Sequence, residues 1–231
     1  MSAHRLYIPV KGVGRKAMVI KMKNIAITIG RQLGSGGYDI AKRVAQELDF
    51  SFYDKEIVEM AAKKGNLHEE TAKQIDEKAS SSFLYSVVMG NYSLNTMGGP
   101  LYYDMPINDK LFLAQADVIK ESARKSSCVF VGRCADYVLE DPEFNTINVF
   151  IYAGMDYRIQ NVMETYNLTA SKAKDRIIKI EKQRRSYYDY YTNKEWGVMS
   201  NYDLCINAEK LGEDLSAEVI KAFAMKKQQN Q

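Results

Sequence analysis

The chain has 231 residues, of which 46% are hydrophobic and 26% are charged, and its formal net charge is +3. This size suits a single globular domain, and no window approaches the roughly 20 apolar residues that a membrane-spanning helix needs. The charge is too small to argue for nucleic-acid binding, and two histidines leave little room for histidine triads or histidine-rich zinc sites. We therefore expect chemistry that uses arginine, lysine, carboxylates and backbone amides, which suits phosphate chemistry.

Residues 1–23 form a basic arm ahead of the domain, which we place at residues 24–226. No acidic residue occurs before Asp39, whereas seven basic residues do: Arg5, Lys11, Arg15, Lys16, Lys21, Lys23 and Arg31. The arm could contact phosphates or a partner, but we favour a poorly ordered tail, since termini are commonly disordered. Its apolar run is too short for a secretory signal, and three cysteines without Cys-x-x-Cys spacing indicate reduced thiols, so we expect a cytoplasmic protein.

A strand, a glycine-rich turn and a helix follow in that order over residues 24–48. Residues 24–29 are β-branched and apolar, the pattern of a strand buried on both faces. The turn, Gly30-Arg-Gln-Leu-Gly-Ser-Gly-Gly37, precedes apolar positions that recur at helical spacing. Because glycines let backbone N–H groups point inward and a helix N-terminus adds partial positive charge, we favour a phosphate site here over a merely tight turn. Its predicted residues are Arg31, Gly34, Ser35, Gly36, Gly37 and Tyr38.

Strands and helices continue to alternate along the rest of the chain. Further strands are predicted at residues 50–53, 127–131, 147–153 and 202–207. Helices are predicted at residues 54–64, 68–78, 108–125, 156–166, 168–185 and 214–225, the fifth with a hydroxyl cap in Leu168-Thr-Ala-Ser. This alternation predicts a parallel sheet covered by helices on both faces. Ligands bind beyond the carboxyl ends of such strands, so we expect Arg133 at a phosphate beside the glycine turn, with a structural salt bridge as the alternative.

Two stretches differ from this pattern. Residues 79–107 contain one charged residue among many aromatic and small polar ones. They could act as a lid that stacks on a base, but we favour an interface or a self-packed insertion. The predicted helix that begins near residue 168 carries five basic residues, most simply a solvated face, and several tyrosines follow it.

Several segments, taken in order and spacing, resemble the cytidylate-kinase-like branch of the nucleoside monophosphate kinases from Ile25 to about Phe223. They are the glycine-turn segment 27–37, Phe-Tyr-Asp-Lys-Glu (52–56), Val-Phe-Val-Gly-Arg (129–133), Arg158, Arg184-Arg185 with the following tyrosines, and Asn-Tyr-Asp-Leu-Cys-Ile-Asn (201–207). The resemblance implies an α/β fold of the P-loop type, three layers α/β/α with a parallel sheet. It also implies a helical acceptor-binding insertion at residues 55–107 and a lid at about residues 168–200.

The resemblance also implies roles for individual residues and cofactors. Gly34 to Gly37 would hold the phosphates of ATP, and Mg²⁺ would bridge them. Arg133 would bind the acceptor phosphate, and Asp54 would belong to the acceptor pocket. The transition-state clamp would consist of Arg158, Arg184 and Arg185.

The glycine turn departs from the family pattern at its catalytic positions. The usual P-loop lysine falls on Gly37, and the hydroxyl residue that holds Mg²⁺ falls on Tyr38 or Asp39. Losing both is expected to reduce the rate on the order of 10³-fold. We hypothesise that Arg31 replaces the lysine charge and that Asp39 binds the metal. The acidic residue that usually follows the Gly-Arg pair is Cys134.

Three functions are compatible with these features. The first is ATP-dependent phosphoryl transfer to a nucleoside monophosphate, with CMP or dCMP favoured by the family alone. The second is a non-catalytic protein that binds a nucleotide or another phosphorylated ligand, and the third is a kinase of a non-nucleotide acceptor. The lid arginines favour an enzyme. We expect a phosphorylated small molecule as partner, no membrane and no specific nucleic acid, and a homo-oligomer is compatible with the sequence.

Overall fold

A computed structural model of the chain describes residues 24–65 and 105–229. The arm at residues 1–23, the helix predicted at residues 68–78 and most of the insertion predicted at residues 55–107 lie outside these ranges. The described strands are β1 (Ile25–Arg31), β2 (Ser51–Tyr53), β3 (Cys128–Val131), β4 (Asn145–Tyr152) and β5 (Leu204–Asn207). The described helices are α1 (Gly37–Leu48), α2 (Glu56–Lys64), α3 (Ile107–Lys125), α4 (Ala135–Val138), α5 (Met155–Tyr166), α6 (Ala170–Thr192) and α7 (Ala208–Gln229), with a 3₁₀ turn at Met199–Asn201.

The five strands form one parallel sheet in the order β2-β3-β1-β4-β5. Helices α1 and α7 pack on one face, and α2, α3, α4 and the end of α6 pack on the other. This arrangement confirms the predicted three-layer α/β/α fold. None of the described helices is long and apolar enough to cross a membrane.

The central strand β1 shows why the sequence folds in this way. Ile25, Ile27 and Ile29 are at most 1% exposed and face α1 and α7, whereas Ala26 faces the opposite core. Side chains alternate across a strand, so a continuous apolar run satisfies both cores at once. Burial on both faces was predicted and is confirmed.

Two helix predictions need correction. Helix α6 does not end near Arg185 but continues to Thr192, because Tyr187, Tyr188 and Tyr191 pack into the core beside α3. The predicted hydroxyl cap was also wrong. Thr169 is the N-cap residue, but its side chain makes no capping hydrogen bond, and its backbone carbonyl instead accepts the first helical hydrogen bond, from the amide of Ala173.

Helix α7 begins earlier than predicted, at Ala208, and contains a break at Gly212, which has φ 72° and ψ 172°. Glycine adopts this conformation without the steric penalty of other residues. The break falls two residues before Asp214, where the sequence predicted the helix to begin.

Candidate functional site

The glycine turn at residues 32–36 connects β1 to α1 and is tightly packed. Gly34 and Gly36 have φ values of 80° and 76°, which favour glycine. A Cβ atom at Gly34 would lie 2.6 Å from the backbone oxygen of Arg158, so a side chain there would collide with α5. The Ser35 hydroxyl points into the turn and donates to the carbonyl oxygens of Gln32 and Ile151, at 2.9 and 3.2 Å. Ser35 therefore holds the shape of the turn with its side chain.

The first turn of α1 presents backbone amides to a ligand. Gly36 is the N-cap residue and has no capping side chain. No group in the described part of the chain accepts a hydrogen bond from the amides of Gly37, Tyr38 or Asp39. Such amides, together with the helix dipole, form a site that favours an anion.

Carboxylates surround the outer side of this turn. The Glu213 Oε1 atom lies 3.1 Å from the position that a Cβ of Gly36 would occupy. Burial, followed by the charges of Asp39 and Asp214, raises the pKa of the Glu213 carboxyl. Within residues 24–65 and 105–229, no group of three or more histidine, cysteine or acidic residues is arranged to hold a metal ion. The role of Asp39 as a metal ligand stays a prediction.

Arg133 follows β3 in an unusual backbone conformation. Gly132, Arg133 and Cys134 have φ values of 75°, 56° and 54°, three consecutive left-handed residues of which two are not glycine. Left-handed non-glycine residues cost on the order of 1–3 kcal/mol each and cluster at functional sites. Arg133 is 4% exposed, and its Nη1 donates to Asp54 Oδ1 at 2.9 Å and to the carbonyl of Val131 at 3.2 Å. The alternative interpretation, a structural salt bridge, is therefore present in the structure.

A pocket opens beside the carboxyl ends of β1 and β3 and against the end of α6. Three arginines that the sequence singled out lie along it, namely Arg31, Arg133 and Arg184. One carboxylate, Asp136, lies in the same pocket. Its aromatic wall consists of Tyr187, Tyr188, Trp196 and Tyr202. Among the described residues that line it, the pocket thus combines three cations, one acid and an aromatic surface.

The three arginines of the predicted clamp differ in their surroundings. Arg184 Nη1 donates to the backbone carbonyl of Arg31 at 2.9 Å, which ties α6 to the end of β1. Arg158 is 4% exposed, pairs with Glu181 on α6 and does not line the pocket. Arg185 is exposed and also lies outside the pocket lining. The structure brings only Arg184 of these three to the pocket.

The helical hairpin of α5 and α6 lies over the glycine turn. Val162, Ala173 and Ile177 form a small core of their own, and Leu33 of the turn packs against it. The Asn161 side-chain amide donates to the carbonyl of Gly34 at 2.8 Å. The predicted lid, residues 168–200, consists of helix α6 and most of the connection from α6 to β5.

The sequence interpretation missed Asp136 and its partner Tyr188. The Tyr188 hydroxyl donates to Asp136 Oδ2 at 2.7 Å. Burial is the main cause that raises the pKa of both groups. A signal was available, because Asp136 comes three residues after Arg133 at the carboxyl end of the same strand. Nothing in the sequence indicated that a tyrosine 52 residues later would meet it.

A parallel sheet in this order, with a glycine turn between β1 and α1 and arginines at the same edge, defines a protein of the P-loop kinase type. A sequence model of the cytidylate kinase-like family matches residues 26–210, and the chain belongs to that family. A curated relative, the cytidylate kinase of Methanopyrus kandleri, is 22% identical over 208 residues, which cover 86% of this chain and 92% of the relative.

Two solved structures are also similar to the chain. An uncharacterized protein from Eubacterium ventriosum is 26% identical and superimposes with a TM-score of 0.63, over 87% of this chain and 98% of its own. The shikimate kinase of Bacteroides thetaiotaomicron is 13% identical with a TM-score of 0.48, over 87% of this chain and 98% of its own. A likeness as distant as the second carries no information about substrate.

Proposed function

We propose that this protein is an ATP-dependent phosphotransferase whose acceptor is a nucleoside monophosphate, with CMP or dCMP as the favoured acceptor. One observation carries the proposal: the unpartnered amides of α1 and the arginine-lined pocket lie at the same edge of the sheet. Phosphoryl transfer needs two anionic substrates held in line with their charge stabilised, and this edge offers groups for both. Family membership and the curated cytidylate kinase relative support the choice of acceptor.

In this proposal the chain's own groups act by position and charge. The amides of Gly37, Tyr38 and Asp39 bind donor phosphates, and Arg133, held by Asp54, faces the acceptor. Arg184 bridges the two sides through its hydrogen bond to the carbonyl of Arg31. Arg158 and Arg185 enter the proposal through the resemblance alone, as lid residues that act if the hairpin moves.

A metal ion at this site would depend on substrate phosphates as well as on protein ligands. Mg²⁺ prefers octahedral oxygen ligands, which one or two carboxylates and substrate phosphates commonly supply together. The described residues offer Asp39 at the turn but no cluster of acidic ligands there. We therefore assign no catalytic step to a protein-bound metal.

Phosphorus NMR of the protein with Mg-ATP and a panel of monophosphates tests the proposal. A diphosphate that forms from one monophosphate, with ADP in equal amount, supports it and identifies the acceptor. Perturbed nucleotide signals without turnover favour the alternative, a binding protein. Unchanged signals for every nucleotide contradict both.

A second candidate function follows from Asp136. A phosphomonoester already brings an anionic oxygen to the reaction, whereas an alcohol needs a base to take its proton. A partly buried carboxylate in the pocket that Arg133 and Arg184 also line suits an alcohol acceptor. The alcohol oxygen would bond to the γ-phosphorus as the bond to the leaving diphosphate breaks, and the proton would pass to Asp136.

The same NMR assay separates the two candidates when alcohols, such as sugars and hydroxy acids, join the panel. A new phosphomonoester signal from an alcohol, lost in Asp136→Asn, would favour the second candidate. A nucleoside diphosphate that Asp136→Asn still produces would favour the first.

A further inference from the structure

Position 37 is the position at which a P-loop otherwise carries its lysine, and here it is a buried glycine that begins α1. A Cβ atom at Gly37 would lie 2.7 Å from the Cβ of Arg31, a distance that side chains essentially never show. The next nearest atoms are Ile151 Cβ and Ser35 Oγ, both at 3.3 Å, a tight but tolerable separation. The Arg31 side chain thus leaves the backbone where a side chain at position 37 would start.

We infer that Arg31 and Gly37 form a reciprocal pair, in which Arg31 supplies from the end of β1 the cation that a lysine at position 37 would supply from α1. The two side chains compete for the same space, so an arginine at position 31 requires glycine at position 37. This inference rests on the proposed function, because its ligand is the triphosphate of the nucleotide donor.

The surroundings of Arg31 suit this role. Its backbone is fixed from two sides, since Arg31 pairs with Ile151 in the sheet and its carbonyl accepts a hydrogen bond from Arg184. Arg31 belongs to the lining of the same pocket as Arg133. A guanidinium group binds phosphate oxygens through two parallel hydrogen bonds, so an arginine is chemically able to replace the point charge of a lysine there.

The steric half of the inference is tested without a ligand. Gly37→Ala in the native background forces a Cβ against the base of Arg31, and we expect the melting temperature to fall by roughly 3 to 10 °C. When Gly37→Ala is made in the Arg31→Gly background, position 31 carries no Cβ that the new methyl group could contact. We therefore expect the melting temperature to change by less than about 2 °C. Equal effects in both backgrounds would show that the two positions do not compete and would overturn the inference.

The charge half is tested by calorimetric binding of Mg-ATP and of inorganic tripolyphosphate. Arg31→Gly should weaken binding of both probes by roughly 10- to 100-fold, the loss of one hydrogen-bonded ionic contact. The double variant Arg31→Gly with Gly37→Lys should bind both probes at least tenfold more tightly than Arg31→Gly alone. The double variant Arg31→Gly with Gly37→Ala should bind them no more tightly than Arg31→Gly alone. Arg124→Gln, which removes an exposed arginine at the opposite end of the sheet, should change affinity by less than about twofold.

The outcomes separate this inference from the proposed function. Native protein that binds the probes while Arg31→Gly binds them equally well overturns the inference alone. Recovery by alanine as much as by lysine at position 37 also overturns it, because the effect would then be steric. Native protein that binds neither probe overturns both the inference and the proposed function.

Discussion

Arg184 and Arg185 are neighbours in sequence that the structure places in different environments. Arg184 lines the pocket and holds the end of β1, whereas Arg185 is exposed to solvent. We expect Arg184→Gln to reduce kcat/KM of the NMR-identified reaction by about 10²- to 10³-fold, the usual effect of removing one transition-state donor. Arg185→Gln should cost much less, and steady-state kinetics of the two variants provide the comparison.

Equal losses in the two variants would contradict this assignment. That result would mean that the α5–α6 hairpin closes during turnover and carries Arg185 to the transferring phosphate. Thermal unfolding of both variants is the control, because Arg184 also makes a hydrogen bond to β1.

The ion pair between Arg133 and Asp54 is the second feature at the scale of residues. Its side chains are 2% and 12% exposed, so Asp54→Asn would remove a hydrogen-bonded negative charge from a buried arginine. We expect a loss of about 3–5 kcal/mol in the free energy of unfolding, measured by urea titration. The matched control is Glu143→Gln, which breaks the exposed pair with Arg124 and should cost less than about 1 kcal/mol.

Similar losses from the buried and the exposed pair would contradict the argument, since burial is the only feature proposed to separate them. Steady-state kinetics of Asp54→Asn add a readout beyond stability. If Asp54 acts on the acceptor through Arg133, the variant should raise KM for the acceptor more than it lowers kcat.

Helix α6 is the element that joins the hairpin to the main core. Its Tyr191 stacks on Phe112 with ring centroids 3.9 Å apart, and its hydroxyl donates to the buried Asp109 at 2.9 Å. Tyr191→Phe keeps the stacking but removes one donor from a buried carboxylate, so we expect a loss of about 1–3 kcal/mol in unfolding free energy. Tyr166→Phe, at an exposed ring on α5, should change it by less than about 0.5 kcal/mol.

A loss in Tyr191→Phe no larger than in Tyr166→Phe would contradict this view of α6. Urea unfolding followed by circular dichroism measures both variants.

The sequence could predict elements whose signal is local. The strand, turn and helix over residues 24–48 depend on apolar spacing and on glycines within a few positions, and the structure confirms them. The three-layer fold follows from regular alternation of strands and helices. The end of α6 could not be predicted, because its tyrosines look like a loop or lid until α3 is known to lie against them.

The composition of the site was predictable in part for the same reason. Arg31 and Arg133 come directly from the ends of two apolar strands, and the pocket contains both. The pairing of Arg133 with Asp54 requires knowing that β2 lies beside β3, and no local pattern encodes the strand order. Arg184 and Arg185 are adjacent on one helix and therefore point in different directions. Which of the two is exposed depends on how the helix packs, and the sequence does not show this.

At the scale of the whole molecule, buried phenols link stability to alkaline pH. Burial is the main cause that raises the pKa of Tyr188, Tyr191 and Tyr202 well above the ordinary value. Burial likewise raises the pKa of the Cys128 thiol to about 11. In each case the folded protein keeps a proton that the unfolded chain releases.

The sign of the pH dependence follows from this difference. Below the unfolded-state pKa both states hold the proton, so the stability is unchanged, and above it the unfolded state gains by ionising. Stability should therefore begin to fall near pH 9 through Cys128 and more steeply above about pH 10 through the tyrosines. Each fully buried group adds a slope of about 1.4 kcal/mol per pH unit.

Urea unfolding between pH 8 and pH 11 (an interval set by the ordinary pKa values of about 8.5 and 10) measures this slope. Cys128→Ala should remove the contribution of Cys128 to the slope that begins near pH 9, and Tyr188→Phe should make the slope above pH 10 less steep. A native protein whose stability stays flat up to pH 11, with tyrosinate absorbance rising while it is folded, would contradict the prediction. The phenols would then ionise in place, and the aromatic wall of the pocket would have to be more open to water than the hydrogen bond between Tyr188 and Asp136 indicates.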